Sequence, residues 1–332
     1  MSRPSIKDVA IESKVSHQTV SRVLNNSPRV SQETRKKVLA SIEKLGYRIN
    51  NSAKALASGK YKSIGVVNLN STLFGPITMN TAIQKFAHEK HYSVNYLSID
   101  KLSNSLILDG INSLLEKGVD GIVVIVPKLV QEIDSSDLRS FKVPIVMRDH
   151  SDMPDSLKLN HRLISEVATN YLLDLGHEKI GFIGGNQNWF DGIEREIGWR
   201  LAMKKCNLNQ NRSFSGDWSA KSGYQLAAEL IEKFPDTSAI YTASDLIGLG
   251  VLKYINEKKL SKIDIISSDA MPESSFYYPA LTTVKYDYVE LARRLFNGVL
   301  SLIAEEPFDS YNSDIPVELI VRESTKRTFV NQ

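Results

Sequence analysis

Near residue 63 the apolar residues change their spacing, and the change divides the chain into two kinds of structure. Before it, apolar residues recur only at helical spacing. After it, short apolar runs alternate with amphipathic segments. Runs at 64–67, 94–97, 121–126 and 144–147 predict parallel strands, with helices over 74–90, 103–118 and 129–139 between them. A second set of strands is predicted at 180–183, weakly at 212–215, and at 239–242, 263–267 and 281–284. Helices near 161–175, 189–206, 219–233, 244–258 and 286–303 accompany it. Repeated β-α-β order gives doubly wound parallel sheets. Two such lobes imply a cleft at the carboxyl ends of their strands.

The first sixty residues hold helices alone. Ser16 has the character of an N-cap, and Val20, Val23 and Leu24 follow at helical spacing. Asn25 and Asn26 end the segment, since Asn tolerates a left-handed backbone. His17, Gln18, Ser21 and Arg22 fall on the other side. Arg forks onto guanine, Gln onto adenine, and His or Ser can donate or accept at base edges. A short helix from Ser5 to about Glu12 precedes, with Ile6, Val9 and Ala10 on one face, and Ser13-Lys14-Val15 makes the turn. This is helix-turn-helix order, although two ordinary amphipathic helices share the pattern. Ser31 caps a third helix that runs to about Leu45 and ends at Gly46, with Val38, Ile42 and Leu45 as its packing stripe. Arg35, Lys36 and Lys37 are read as exposed, either touching phosphates or forming a solvated face.

Charge favours the nucleic-acid reading. Residues 1–60 carry twelve Lys and Arg against four Asp and Glu, a net of +8. The whole chain nets +3, so residues 61–332 carry 29 against 34, or −5. A basic module on an acidic body is the footprint of a nucleic-acid binder. Other classes recede. No apolar run is long enough to span a membrane. Met1-Ser2-Arg3-Pro4 lacks the apolar core of a signal peptide, and the chain has one cysteine, so a cytoplasmic protein is expected. That cysteine, Cys206, is expected to be a small packed residue of a helix. The six His show no metal-ligand spacing, and no metal or cofactor is expected. Gly181-Phe182-Ile183-Gly184-Gly185 follows a strand but is not a dinucleotide fingerprint. No P-loop or nucleophile elbow occurs, so no enzyme is expected.

Ile6-Lys7-Asp8-Val9-Ala10, Val15-Ser16, Thr19 through Asn25, Val30-Ser31, Thr34-Arg35 and Leu45-Gly46-Tyr47 stand at fixed spacings. Together they resemble the headpiece of the LacI/GalR family of bacterial repressors. Leu175-Gly176-His177-Glu178-Lys179-Ile180 is similar to a recurrent stretch in the body of that family, so the resemblance covers essentially the whole chain. It implies a small all-α helix-turn-helix headpiece over 1–48 and a hinge over 49–60. Residues 61–332 would then be an α/β periplasmic-binding-protein-like core of two doubly wound parallel-sheet lobes. It also implies DNA contacts at Ser5, Ser16, His17, Gln18, Thr19 and Ser21, and at Arg22, Asn25, Ser31, Thr34 and Tyr47. Asn50, Ala53 and Leu56 resemble the family's hinge helix, which folds when two copies meet in the minor groove and wedges a leucine between base pairs. A plain linker is the other reading of that segment. Lys14 stands where the family usually has Gly. If its φ is positive, the cost is on the order of 1 kcal/mol.

In the body, Asp217-Trp218-Ser219-Ala220 falls after a strand and before a helix. An aromatic face there suits the C–H face of a sugar, although a lone Trp is commonly a core residue. Residues 216–223, and 281–285 after Ser274-Ser275, resemble a sugar-responsive branch of the family. The match implies an effector site of Leu73, Pro76, Asp149, Arg195, Trp218 and Asp269. Ser244 and Tyr286 join it; like Ile125, they stand where that branch has amides. Asn160-His161 also departs from the branch. The expectation is a repressor of a sugar-utilisation operon, bound as a homodimer to a pseudo-palindromic double-stranded operator. A small sugar-type inducer, galactoside-like, would release it. No heptads precede Gln332, so a dimer is expected rather than a larger assembly. A co-repressing ligand, a sugar phosphate, and a sugar-binding module without a DNA role stay open as alternatives.

Overall fold

The computed structural model describes residues 4–24, 26–48, 59–128, 133–149, 156–157, 160–307 and 315–325. Residues 1–61 and 62–332 form two compact units.

In the first unit α1 (Ile6–Ser13), α2 (His17–Leu24) and α3 (Gln32–Leu45) pack around Val9, Ala10, Val20, Val23 and Val38. Small polar residues cap their starts. Ser5 accepts from the Asp8 amide while the Asp8 carboxylate accepts from the Ser5 amide at 2.7 Å. Ser16 accepts from the Thr19 amide at 3.1 Å and Ser31 from the Thr34 amide at 3.2 Å. Lys14 ends α1 at φ 54°, donating back to the carbonyls of Ala10 and Ile11. The positive φ on which the cost of this residue depended is therefore present. Arg35 corrects an expectation. It is half-buried and donates to the Val23 carbonyl at 3.3 Å, Asn26 Oδ1 at 3.0 Å and the Ser27 carbonyl at 2.8 Å. It closes carbonyls that the end of α2 leaves open instead of standing free on the surface.

The second unit has two sheets. The first lobe holds β1 (Ser63–Leu69), α4 (Phe74–Glu89), β2 (Ser93–Ile99), α5 (Asn104–Glu116) and β3 (Gly121–Val124), then α6 (Ser135–Arg139), β4 (Ile145–Arg148) and β5 (Ser156–Leu157). Its sheet is parallel throughout, in the order β2-β1-β3-β4-β5. The second lobe holds α7 (His161–Asp174), β6 (Ile180–Gly184), α8 (Phe190–Lys205), β7 (Ser213–Ser215) and α9 (Ala220–Lys233). It continues with β8 (Ala239–Thr242), α10 (Asp245–Glu257), β9 (Asp264–Ser268), β10 (Thr282–Tyr286) and β11 (Val317–Ile320). Its order is β11-β10-β9-β8-β6-β7, parallel except for the β10–β11 pair. β1, β3, β4, β6, β8 and β9 are buried at every residue. Helices cover both faces of such strands, which is why they read as unbroken apolar runs.

Three features depart from expectation. Strands β5 and β11 were not expected: β5 has only two residues, whereas β11 does carry an apolar run in Val317, Leu319 and Ile320 that sequence reasoning missed. α11 (Tyr288–Ile303), grouped by sequence order with the second lobe, packs instead on α4, β3 and β4 of the first. The chain thus changes lobe after β5, after β10 and again after α11. Cys206 is exposed at the end of α8, past its packed face, and is not a core residue. The Leu-Gly-His stretch has a plain use. Gly176 adopts φ 87° after α7, and buried His177 lies 3.0 Å from Ser238 Oγ and 3.1 Å from Asp264 Oδ2, tying the starts of β8 and β9. No helix among the described residues is long and apolar enough to cross a membrane.

Candidate functional site

The first unit offers a polar helix face. His17, Gln18 and Arg22 of α2 are exposed, and Thr19 and Ser21 are half-buried. Several residues expected to contact DNA have engaged hydroxyls. Ser5 bonds Asp8, Ser16 and Thr19 bond each other at 2.9 Å, and Ser31 and Thr34 do so at 2.8 Å. They fix helix ends, and His17, Gln18 and Arg22 are left to reach outward. Tyr47 packs half-buried against the helical core. Asn25, Asn50, Ala53 and Leu56 lie outside the described residues.

The second unit has a cleft between its lobes at the carboxyl ends of the strands. It encloses about 490 Å³ including its mouth. Leu73, Pro76, Pro127 and Arg148 line it from the first lobe, and Trp189, Asp191, Arg195, Trp218, Ser244 and Asp269 from the second. Tyr288, the first residue of α11, completes the wall.

Arg195 is the hub of the second-lobe side. It projects from α8, is 3% exposed, and lies 5.6 Å from the Trp218 ring centre. It donates to the Ala243 carbonyl, to Asp269 Oδ1 at 3.4 Å and to the Tyr288 hydroxyl at 3.4 Å. The Tyr288 hydroxyl donates to Asp269 Oδ1 at 2.8 Å. Burial still pushes the Asp269 carboxyl above its ordinary range, despite Arg195 and Tyr288. The turn that carries Asp269 is held in an uncommon conformation, φ 112° there and φ 53° at Ala270. Asp245, below it, anchors that turn by accepting from the Met271 amide and the Thr283 hydroxyl, both at 2.7 Å. Burial, and then the charge of Asp269, pushes Asp245 up to about 6. Ser244 caps α10 through the Ile247 amide at 3.3 Å.

The first-lobe side is built on Arg148, the last residue of β4. One terminal nitrogen of its guanidinium donates to both oxygens of Asp191, at 2.7 and 2.6 Å. Burial is the largest single influence on Asp191 and opposes its ionisation, but Arg148, His161 and Arg195 together outweigh it and lower the carboxyl to about 2. Two expected effector residues lie behind this wall. Asp149 is buried, its carboxylate 3.0 Å from Arg148 Nε; it follows β4 at φ 63°, outside the strand, and does not line the cleft. Tyr286 is buried edge-on against Tyr288, ring centres 5.3 Å apart, so Tyr288 takes the lining position. Ile125 is buried and Asn160 caps α7. His161 lies 3.4 Å from Asp191 and 3.7 Å from Asp149. These three could together approach a metal ion, but the Arg148 guanidinium already supplies positive charge to both carboxylates.

Arg148, Trp189, Asp191 and Tyr288 were not foreseen. Only the polarity of Arg148 at the end of an apolar run, and the aromatic-acidic start of α8, could have signalled them.

Comparison with known proteins agrees along the whole chain. Residues 5–50 match the domain described as "Bacterial regulatory proteins, lacI family", and residues 169–325 match a periplasmic binding protein-like domain. The chain is 28% identical to the lactose operon repressor of Escherichia coli (strain K12), over 97% of this chain and 90% of that protein. It is 30% identical to catabolite control protein A of Priestia megaterium, over 97% and 99%. A solved lac repressor dimer bound to operator and the anti-inducer ONPF superposes with a TM-score of 0.89 at 28% identity, covering 98% of this chain and 99% of that one.

Proposed function

The chain belongs to the LacI family of bacterial regulatory proteins, and from that premise we propose that it represses a sugar-utilisation operon and is released by a neutral sugar. Regulators of this family bind DNA through the headpiece, sense a small molecule in the body and are not enzymes. This one would act in the cytoplasm as a homodimer on a pseudo-palindromic operator. His17, Gln18 and Arg22 would read bases, and Leu56 would wedge the central step.

One observation carries the choice of effector. Each guanidinium that lines the cleft already faces a carboxylate, Arg148 on Asp191 and Arg195 on Asp269. A phosphate needs cations not already neutralised. A polyol needs donors, acceptors and an apolar face, which Arg195, Asp269, Asp191 and Trp218 offer together. The likeness to the lactose operon repressor supports a sugar without fixing which one.

The test has two steps. Duplexes are selected from a random-sequence pool with the purified protein. Thermal unfolding is then followed with neutral mono- and disaccharides and with their phosphates. The reading expects a neutral sugar to raise the melting temperature and to loosen the selected duplex. Stabilisation by phosphates alone would replace the effector class, and tightening of the duplex by sugar would make the ligand a co-repressor.

A further inference from the structure

We propose that Arg148 and Asp191 form a latch across the cleft that holds the two lobes together without any effector. Its consequence for regulation rests on the cleft being the effector site; the latch itself does not.

Arg148 belongs to β4 of the first lobe and Asp191 to the first turn of α8 in the second, 43 residues apart in sequence. Their side chains are 2% and 13% exposed. Parting a pair so shielded costs more than losing a surface pair, because each charge loses a close partner in a site that little water reaches. Each partner is also held on its own lobe: Asp149 lies 3.0 Å from Arg148 Nε, and Asp191 has His161 at 3.4 Å and Arg195 one turn along α8. The helix dipole also favours a carboxylate in that first turn.

A second contact sews the same turn to the same lobe. α8 begins without a side-chain cap, because Trp189 has none to give. The Phe190 amide, an orphan donor by position, reaches across the cleft to the Lys128 carbonyl at 2.9 Å. The Lys128 ammonium lies 4.1 Å from the centre of the Phe190 ring. Both contacts tie the first turn of α8 to the first lobe at the wall of the cleft, so an effector that parts the lobes there has an affinity net of undoing the latch.

Amide hydrogen exchange on the full chain, free of sugar and DNA, tests this. The Phe190 amide reports lobe contact. The Phe182 amide, bonded to the Arg212 carbonyl at 2.8 Å, reports the second lobe, and the Ile125 amide, bonded to the Val67 carbonyl at 3.0 Å, reports the first. Asp191→Asn keeps the shape and removes the charge. It should speed exchange at Phe190 by about tenfold or more while Phe182 and Ile125 keep the parent rate. Unchanged exchange at Phe190 overturns the latch. Should all three amides quicken, Arg148→Lys decides, since it keeps the charge but not the two-oxygen grip. Acceleration confined to Phe190 upholds the latch; a uniform change or none shows that the pair serves general stability. Neither outcome depends on the sugar panel, which tests the effector reading separately.

Discussion

At the scale of the residue, the headpiece joins a strained position to an exposed one. Lys14 holds φ 54° in the turn between α1 and α2, where a Cβ is unfavourable. Lys14→Gly should stabilise the first unit by about 1 kcal/mol, read from urea melts that follow the Val9 and Val38 methyls. No gain would mean that the Lys side chain offsets its backbone strain. Arg22 stands exposed on α2 with no role in the helical core. Arg22→Ala should cost about 1–3 kcal/mol on the selected duplex and far less on a scrambled one. Equal losses on both would leave it a phosphate contact. Trp218 packs and lines the cleft at once. Its ring lies so close over Gly185 that a Cβ there would come within 2.3 Å of it, and it packs beside the core, yet it also lines the cleft.

At the scale of the element, α10 carries a titrating group at its start. Asp245 is pushed up to about 6 by burial and by Asp269, against an ordinary 3.8. The folded protein therefore binds a proton that the unfolded chain has released between about pH 4 and 6. Stability from this group is greatest below that window and falls as pH rises through it. Asp245→Asn cannot titrate, and any cost of the amide is the same at every pH. From about pH 4 to about pH 7 its stability should gain on the parent by on the order of 1–3 kcal/mol, measured by urea melts across pH. A constant difference would show that Asp245 titrates normally. The elements themselves were largely legible. Strands buried on both faces show as apolar runs, and Ser5, Ser16 and Ser31 announce helix starts. The lobe that α11 joins was not legible, because its apolar face fits either sheet and only tertiary packing chooses. Arg148 and Asp191 escaped for a similar reason: each is an ordinary polar residue until 43 positions of chain bring them together. The local Asp217-Trp218-Ser219-Ala220 signal needed no such partner.

At the scale of the whole molecule, charge is divided between two tasks. Residues 1–60 net +8 and the remainder −5, so attraction to a polyanion is concentrated in the first unit. The acidic body adds repulsion against a second, non-specific mode of DNA contact. The cleft shows the opposite arrangement, with cations paired to carboxylates and sheltered from solvent. The two sites should therefore answer salt differently. Binding to the selected duplex releases counterions, so the logarithm of its affinity should fall linearly with that of the salt concentration. Sugar affinity should change by less than about twofold over the same range, roughly 50 to 200 mM, because a neutral ligand gains nothing that ions can screen. Calorimetry with the sugar and fluorescence anisotropy with the duplex, on one preparation, measure both slopes. A sugar affinity that falls in step with the duplex would mean that the ligand is charged, and that the cleft opens its ion pairs to receive it. A duplex affinity indifferent to salt would take the basic headpiece out of DNA recognition altogether, since a net charge of +8 that touched phosphates could not escape the release of their counterions.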